Sequence, residues 1–304
     1  MDIVDEIREI FATQINGFRL ITGIDSKYIA YAIRLDGFFG VAIPFDRDVI
    51  VAEHFSGAEL HTRARVLGDS GVEKTFLELT CIYNDLRNEF ASLCAQFVAP
   101  GEHGCERARI IEDPLSWWNN WRKLLGNRSS EKKAYSVIAE LEALYVTFLK
   151  DRNVKWAAAD HTGTQDIETS KISVEVKSTL EKTGTDVTIS SLNQLKTDPD
   201  HEMYLYFCRL EKSEQGLCIN DCVLKLLLAG YDEYLLEHEL EDQGYEKGCS
   251  ARDERFRITE KRKYFIDEEF PSITVHSFKN NELPPHLKSM TYTLDLSDYP
   301  FTEW

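Results

Sequence analysis

In the stretch DIETSKISVEVKST, residues 166–179, three side chains have the types and spacing for carboxylate–metal chemistry: Asp166, Glu175 and Lys177. Apolar and polar residues alternate through KISVEVKS. On an extended strand, Ile172, Val174 and Val176 fall on one face, and Ser173, Glu175 and Lys177 on the other. The apolar face fixes the register and holds the acid and the amine side by side. A short turn through Thr169 to Lys171 folds the preceding strand back antiparallel, which sets Asp166 about 5 Å across from Glu175. Two carboxylates that close repel each other unless a proton or a cation neutralises them. A set of oxygen ligands, with the Val176 carbonyl beside the two acids, selects Mg²⁺ or Mn²⁺ rather than zinc. An ion bridging a phosphate and a water stabilises charge on a phosphoryl group and sharpens the water as a nucleophile. Lys177 is placed to orient or deprotonate that water, or to stabilise the charged transition state. In isolation, the same residues describe an exposed Glu–Lys pair with a solvated aspartate. The flanking elements have to decide.

Upstream lies the helical segment EKKAYSVIAELEALYVTFLKD. Val137, Leu141, Leu144 and Phe148 form its buried stripe. At about 100° per residue, Glu140 sits roughly 60° from the stripe centre, on its edge. Glu140 can therefore lean toward Asp166 and Glu175, whereas Glu142 is expected well round toward solvent. Downstream come strand DVTIS, a short helix SLNQL, the strong strand MYLYFCRL and a helix over about 220–228. Gln194, on the short helix, is positioned to bond a ligand phosphate or the acids, or to serve as a plain polar cap. His161 lies in the loop before Asp166. Helix, hairpin, helix and strand in this order predict a mixed α/β sheet flanked by helices.

These residues resemble the PD-(D/E)xK nuclease superfamily. Asp166 takes the aspartate position and Glu175-Val176-Lys177 the (D/E)xK position. More narrowly, the chain is similar to a PD-(D/E)xK family catalogued as a domain of unknown function and met near restriction and phage-defence genes. Ala139-Glu140-Leu141 stands where that family shows Gly-Glu-Leu. Residues 189–195, ISSLNQL, resemble its serine-and-glutamine segment, and Phe270-Pro271 its Phe-Pro. Gln165 replaces the motif proline, which many superfamily members also lack. The resemblance implies a restriction-endonuclease-like core and a Mg²⁺- or Mn²⁺-dependent endonuclease acting on DNA. It implies metal held by Asp166, Glu175, the Val176 carbonyl and a third acid, Glu140, with Lys177 serving the water and Gln194 beside them.

Around this core, residues 131–230, the sequence suggests a β-rich module over 1–110, a connecting segment over 111–130 and a C-terminal extension over 231–304. In the first module YIAYAIRL, FFGVAIPF and DVIVAEHF read as strands. ELTCIYNDLRNEFASLCAQF reads as a closing helix, with Leu79, Ile82, Leu86, Phe90, Leu93 and Phe97 on one side. SWWNNWRKLLGNRSS has two uses: aromatic and basic groups that stack on bases and hold phosphates, or a hydrophobic clasp. In the extension, DEYLLEHELEDQGYE carries seven acids and no lysine or arginine, as a solvated helix face or a docking surface. RDERFRITEKRKYFI carries six basic residues and suits a phosphate-contacting hairpin.

The net charge is −17, which argues against nucleic-acid binding over the whole surface but leaves room for a local basic face. Seven cysteines without a CxxC exclude a zinc ribbon or a disulfide framework and suit a cytoplasmic setting. Cys218 and Cys222, four apart, are expected in the core. No apolar run approaches a membrane span, and MDIVDEIREIFATQI does not read as a signal peptide. A second class of function remains: a non-catalytic DNA-binding or scaffolding subunit of a defence complex that keeps the fold. A third is a nuclease switched on by a partner ATPase or methyltransferase. A homodimer follows if both strands of a duplex are cut.

Overall fold

Amphipathic spacing at the N-terminus produces α1 (Ile3–Thr13), which buries Ile7, Ile10 and Phe11. In this computed structural model the described residues are 2–13, 16–35, 37–55, 57–67, 72–125, 133–156, 165–192, 194–197, 201–274, 277–282 and 284–304. They divide into two compact units. The first is Met1–Ser130 with Glu246–Ser250, and the second is Glu131–Tyr245 with Ala251–Trp304.

The first unit is built on six antiparallel strands: β1 (Gly17–Leu20), β2 (Tyr31–Leu35), β3 (Phe38–Pro44), β4 (Ala52–Phe55), β5 (Ala58–Val66) and β6 (Glu73–Cys81). Their spatial order is β1-β2-β3-β6-β5-β4. Helix α1 and α2 (Arg87–Val98) share one core with Phe39, Val41, Leu60, Leu77 and Leu79. Leu79, expected on a helix, lies on β6, and the helix begins only at Arg87. Ile82 and Leu86 are exposed in the link between them. The i+3/i+4 spacing ran across a strand end and a helix start, and period alone does not separate the two. Helices α3 (Cys105–Glu112) and α4 (Pro114–Leu125) follow. Trp118 is buried in the same core, and Trp117 packs on Phe97 with ring centroids 4.9 Å apart. Those two rings are taken up by packing within the first unit, as a clasp requires.

The second unit opens with α5 (Ala134–Lys150), then β7 (Lys155–Trp156), β8 (Ile167–Glu168), β9 (Ile172–Thr179), β10 (Asp186–Ile189) and β11 (Glu202–Leu217). Next come α6 (Ile219–Leu228), α7 (Glu233–Asp242), β12 (Phe256–Ile266) and β13 (Tyr292–Asp295). The main sheet has the order β12-β11-β9-β8-β7, with β9 and β11 parallel and the other neighbours antiparallel. Helices α5, α6 and α7 share a core with Val174, Val176, Tyr206 and Cys208 on one face. The small β10–β13 sheet shares a second core with Leu205, Phe207, Tyr264 and Phe270 on the other. A central mixed sheet with helices packed on it makes this a mixed α/β, restriction-endonuclease-like fold.

Three further expectations change. The basic segment 252–266 is not a hairpin in an appendage. It supplies β12, a single strand paired along β11 in the main sheet. Several of its charges are paired: Arg257 with Glu211, Arg262 with Glu260, and Lys261 with Glu142 at 3.2 Å. Glu142 is not solvated but 4% exposed, because α6 covers that side of α5 and brings Lys225 to 2.6 Å. Around Gln194 the described residues form a turn rather than a helix, with Gln194 N–H donating to the Ser191 carbonyl at 3.3 Å. Cys218 and Cys222 are free and buried, and burial pushes the Cys222 thiol far up. No helix among the described residues is long and apolar enough to cross a membrane.

Candidate metal centre

Strand β9 sets the geometry. Its pairing with β11 matches Glu175 to Leu205 and Lys177 to Phe207, so the acid and the amine lie on the face opposite α5. Hairpin β8–β9 pairs Ile167 with Val174. One step outward, the same register sets Asp166 opposite Glu175. The Asp166 carboxylate accepts the Val176 N–H at 2.7 Å. An extended residue points its N–H and C=O to the same edge, so the Val176 carbonyl faces the Asp166 side too.

Glu175 is 3% exposed. Lys177 Nζ lies 2.8 Å from Glu175 Oε1 and donates to Gln194 Oε1 at 3.3 Å. The same Gln194 oxygen accepts the Ser190 N–H at 2.7 Å, which ties the turn after β10 to the lysine. Burial, then the Asp166 charge, pushes the Glu175 carboxyl up to about 8. Lys177 opposes that rise, and Glu140 adds a smaller repulsion. Glu140 is itself buried and accepts the Trp156 indole N–H at 3.1 Å. The fold thus brings Asp166, Glu175, Val176, Lys177 and Gln194 together, with Glu140 near enough to be felt. His161 lies outside the described residues.

Trp156 was missed by sequence reasoning. Its indole holds the helix acid in place, and the signal was present: a tryptophan in the strand-like NVKWAAAD just before the acidic hairpin.

Burial and the Asp166 charge together outweigh the single ammonium of Lys177 at Glu175. Two carboxylates and a carbonyl make an oxygen-only donor set, which fits a hard divalent cation such as Mg²⁺ or Mn²⁺.

No curated protein and no solved structure matches the chain. Residues 44–297 match the family described as "Putative PD-(D/E)XK family member, (DUF4420)", and the chain, matched over most of its length, belongs to that family.

Proposed function

We propose that the protein is a Mg²⁺-dependent (or Mn²⁺-dependent) nuclease that hydrolyses phosphodiester bonds in DNA. The observation that carries this reading is the β8–β9 register that sets Asp166 across from Glu175, with Glu175 buried and Lys177 against it. Asp166, Glu175 and the Val176 carbonyl would hold the ion, with Glu140 behind them. A bound divalent ion supplies Lewis-acid charge at the scissile phosphate and a more acidic water. Lys177, oriented by Glu175 and Gln194, faces the attacking water and the charge that develops on phosphate. Removing one such donor costs about 10²-fold or more in rate.

The test is cleavage of plasmid and linear DNA in Mg²⁺ or Mn²⁺, run beside calorimetric Mn²⁺ titration without DNA. Wild type is expected to cleave and to bind Mn²⁺. Asp166→Asn is expected to lose both, and Lys177→Ala to lose cleavage while keeping the ion. Full activity in Asp166→Asn or Lys177→Ala would overturn the assignment.

A second reading is a non-catalytic subunit of a defence complex that docks on a basic partner. The net charge of −17 and the acidic α7 favour it. Mn²⁺ binding lost in Asp166→Asn separates the readings, because a scaffold does not need the site.

A further inference from the structure

A second cluster of metal-ligating groups lies in the first unit and plays no part in the nuclease reading. Strands β4 and β5 follow each other closely in HFSGAELH, residues 54–61. Their register pairs Ala52 with His61 and His54 with Glu59. Alternation then puts His54, Glu59 and His61 on one face of the hairpin. The first unit also contains Glu246–Ser250, a segment distant in sequence. It reaches the edge strand β4 from both sides. Glu246 meets the histidine face, and the Ser250 N–H donates at 2.6 Å to Oε1 of buried Glu53, which alternation places on the other.

The donor atoms converge. His54 Nε2 lies 3.2 Å from His61 Nε2 and 3.1 Å from Glu246 Oε1. One ligand atom from each of the three residues falls within 4.8 Å of the other two. Zinc bonded at about 2.0–2.1 Å to tetrahedral ligands separates them by about 3.3 Å, close to both short contacts. With neutral rings, His54 Nε2 has a single proton or a single lone pair for two short contacts, one to a ring nitrogen and one to a carboxylate. Arg63 stands 3.3 Å from His61 Nδ1, but its guanidinium also bonds Glu59 at 3.0 Å. The Glu59 carboxylate, 3.7 Å from His54 Nδ1, is placed as the outer acid that commonly orients a metal-bound histidine.

We infer that His54, His61 and Glu246 form a Zn²⁺ site that pins the segment 246–250 to the β4–β5 hairpin, with water completing the coordination. Two imidazoles and one carboxylate suit zinc, unlike the oxygen-only set at Asp166 and Glu175. The site is independent of the nuclease reading and stands or falls separately.

The experiment is titration of Zn²⁺ against a chromophoric chelator. It uses the full-length Asp166→Asn/Glu175→Gln protein, so that the acidic centre does not contribute. One equivalent of tight zinc is expected. Adding His54→Gln or Glu246→Gln should weaken it at least tenfold, at the lower end for losing a ligand or its support. Co²⁺ substitution in the same protein should give the intense visible bands of a tetrahedral site, a readout that needs no further variant. Absence of tight zinc, zinc binding unchanged by both substitutions, or the weak spectrum of octahedral Co²⁺ would each overturn the proposal.

Discussion

At Glu175, burial and the Asp166 charge raise the carboxyl to about 8, against 4.5 for an ordinary glutamate. Without metal, the folded protein therefore keeps a proton there that the unfolded chain gives up above about 4.5. From pH 4.5 to 8 the native state binds more protons than the unfolded one. Stability falls as pH rises, by up to about 1.4 kcal/mol per unit for a full proton. Glu175→Gln removes that slope. In chelator, the variant is expected to match wild type near pH 4.5 and to exceed it increasingly up to pH 8 in urea unfolding. Parallel curves would remove the charge-strained acid. Glu142 has the opposite character, because its buried carboxylate is matched by Lys225 and Lys261. Glu142→Gln leaves two ammonium groups facing an amide. Since both lysines are partly exposed and can turn to water, a loss of about 1–3 kcal/mol is expected from denaturation midpoints. The sequence misplaced this residue because a helical wheel identifies one buried stripe and knows nothing of the helix that covers the other side.

Local pattern carried far at the level of elements. The alternation of 171–178 and the turn before it gave β9, its faces and the partner of Asp166. Those features depend on neighbours in sequence. Pairings that depend on distant residues were not legible: β10 with β13, β12 along β11, and the parallel match of β9 to β11. The helix read over 78–97 began too early for a related reason, since only Arg87–Val98 is helical. Glu78 and Leu79 belong to β6 because β3 and β5 lie on either side of it, and neither neighbour is visible in the local spacing. The β3–β6 pair is also unusually close. Gly40 faces Thr80, and a Cβ built on it would stand 2.0 Å from the Leu79 carbonyl oxygen. That oxygen is backbone and cannot turn aside. Gly40→Ala should therefore force the strands apart and cost about 3 kcal/mol, the upper end for overpacking. A lower urea midpoint would register it. A wild-type midpoint would show that the two strands are free to separate.

For the whole molecule, charge sets how the proposed activity can work. A body of net charge −17 repels a polyanion at long range. The basic strand β12 offers little relief, because Arg257, Lys261 and Arg262 already face Glu211, Glu142 and Glu260. Phosphate must then approach a centre where the Asp166 carboxylate stands beside a single ammonium, Lys177. A cation bound there makes the local charge positive. DNA affinity is thus expected to depend on the divalent ion rather than on a standing basic surface. Fluorescence anisotropy with a labelled duplex at about 0.1 M salt, where screening acts beyond about 10 Å, should show little binding in chelator. Binding should appear when Ca²⁺ is added as a non-hydrolytic stand-in, and Asp166→Asn should remove the gain. Metal-independent binding of equal strength would place the DNA contacts away from the acidic centre and leave Asp166 and Glu175 without a role in holding phosphate. The steeply charged surface would then be explained better by a basic protein partner than by a nucleic acid.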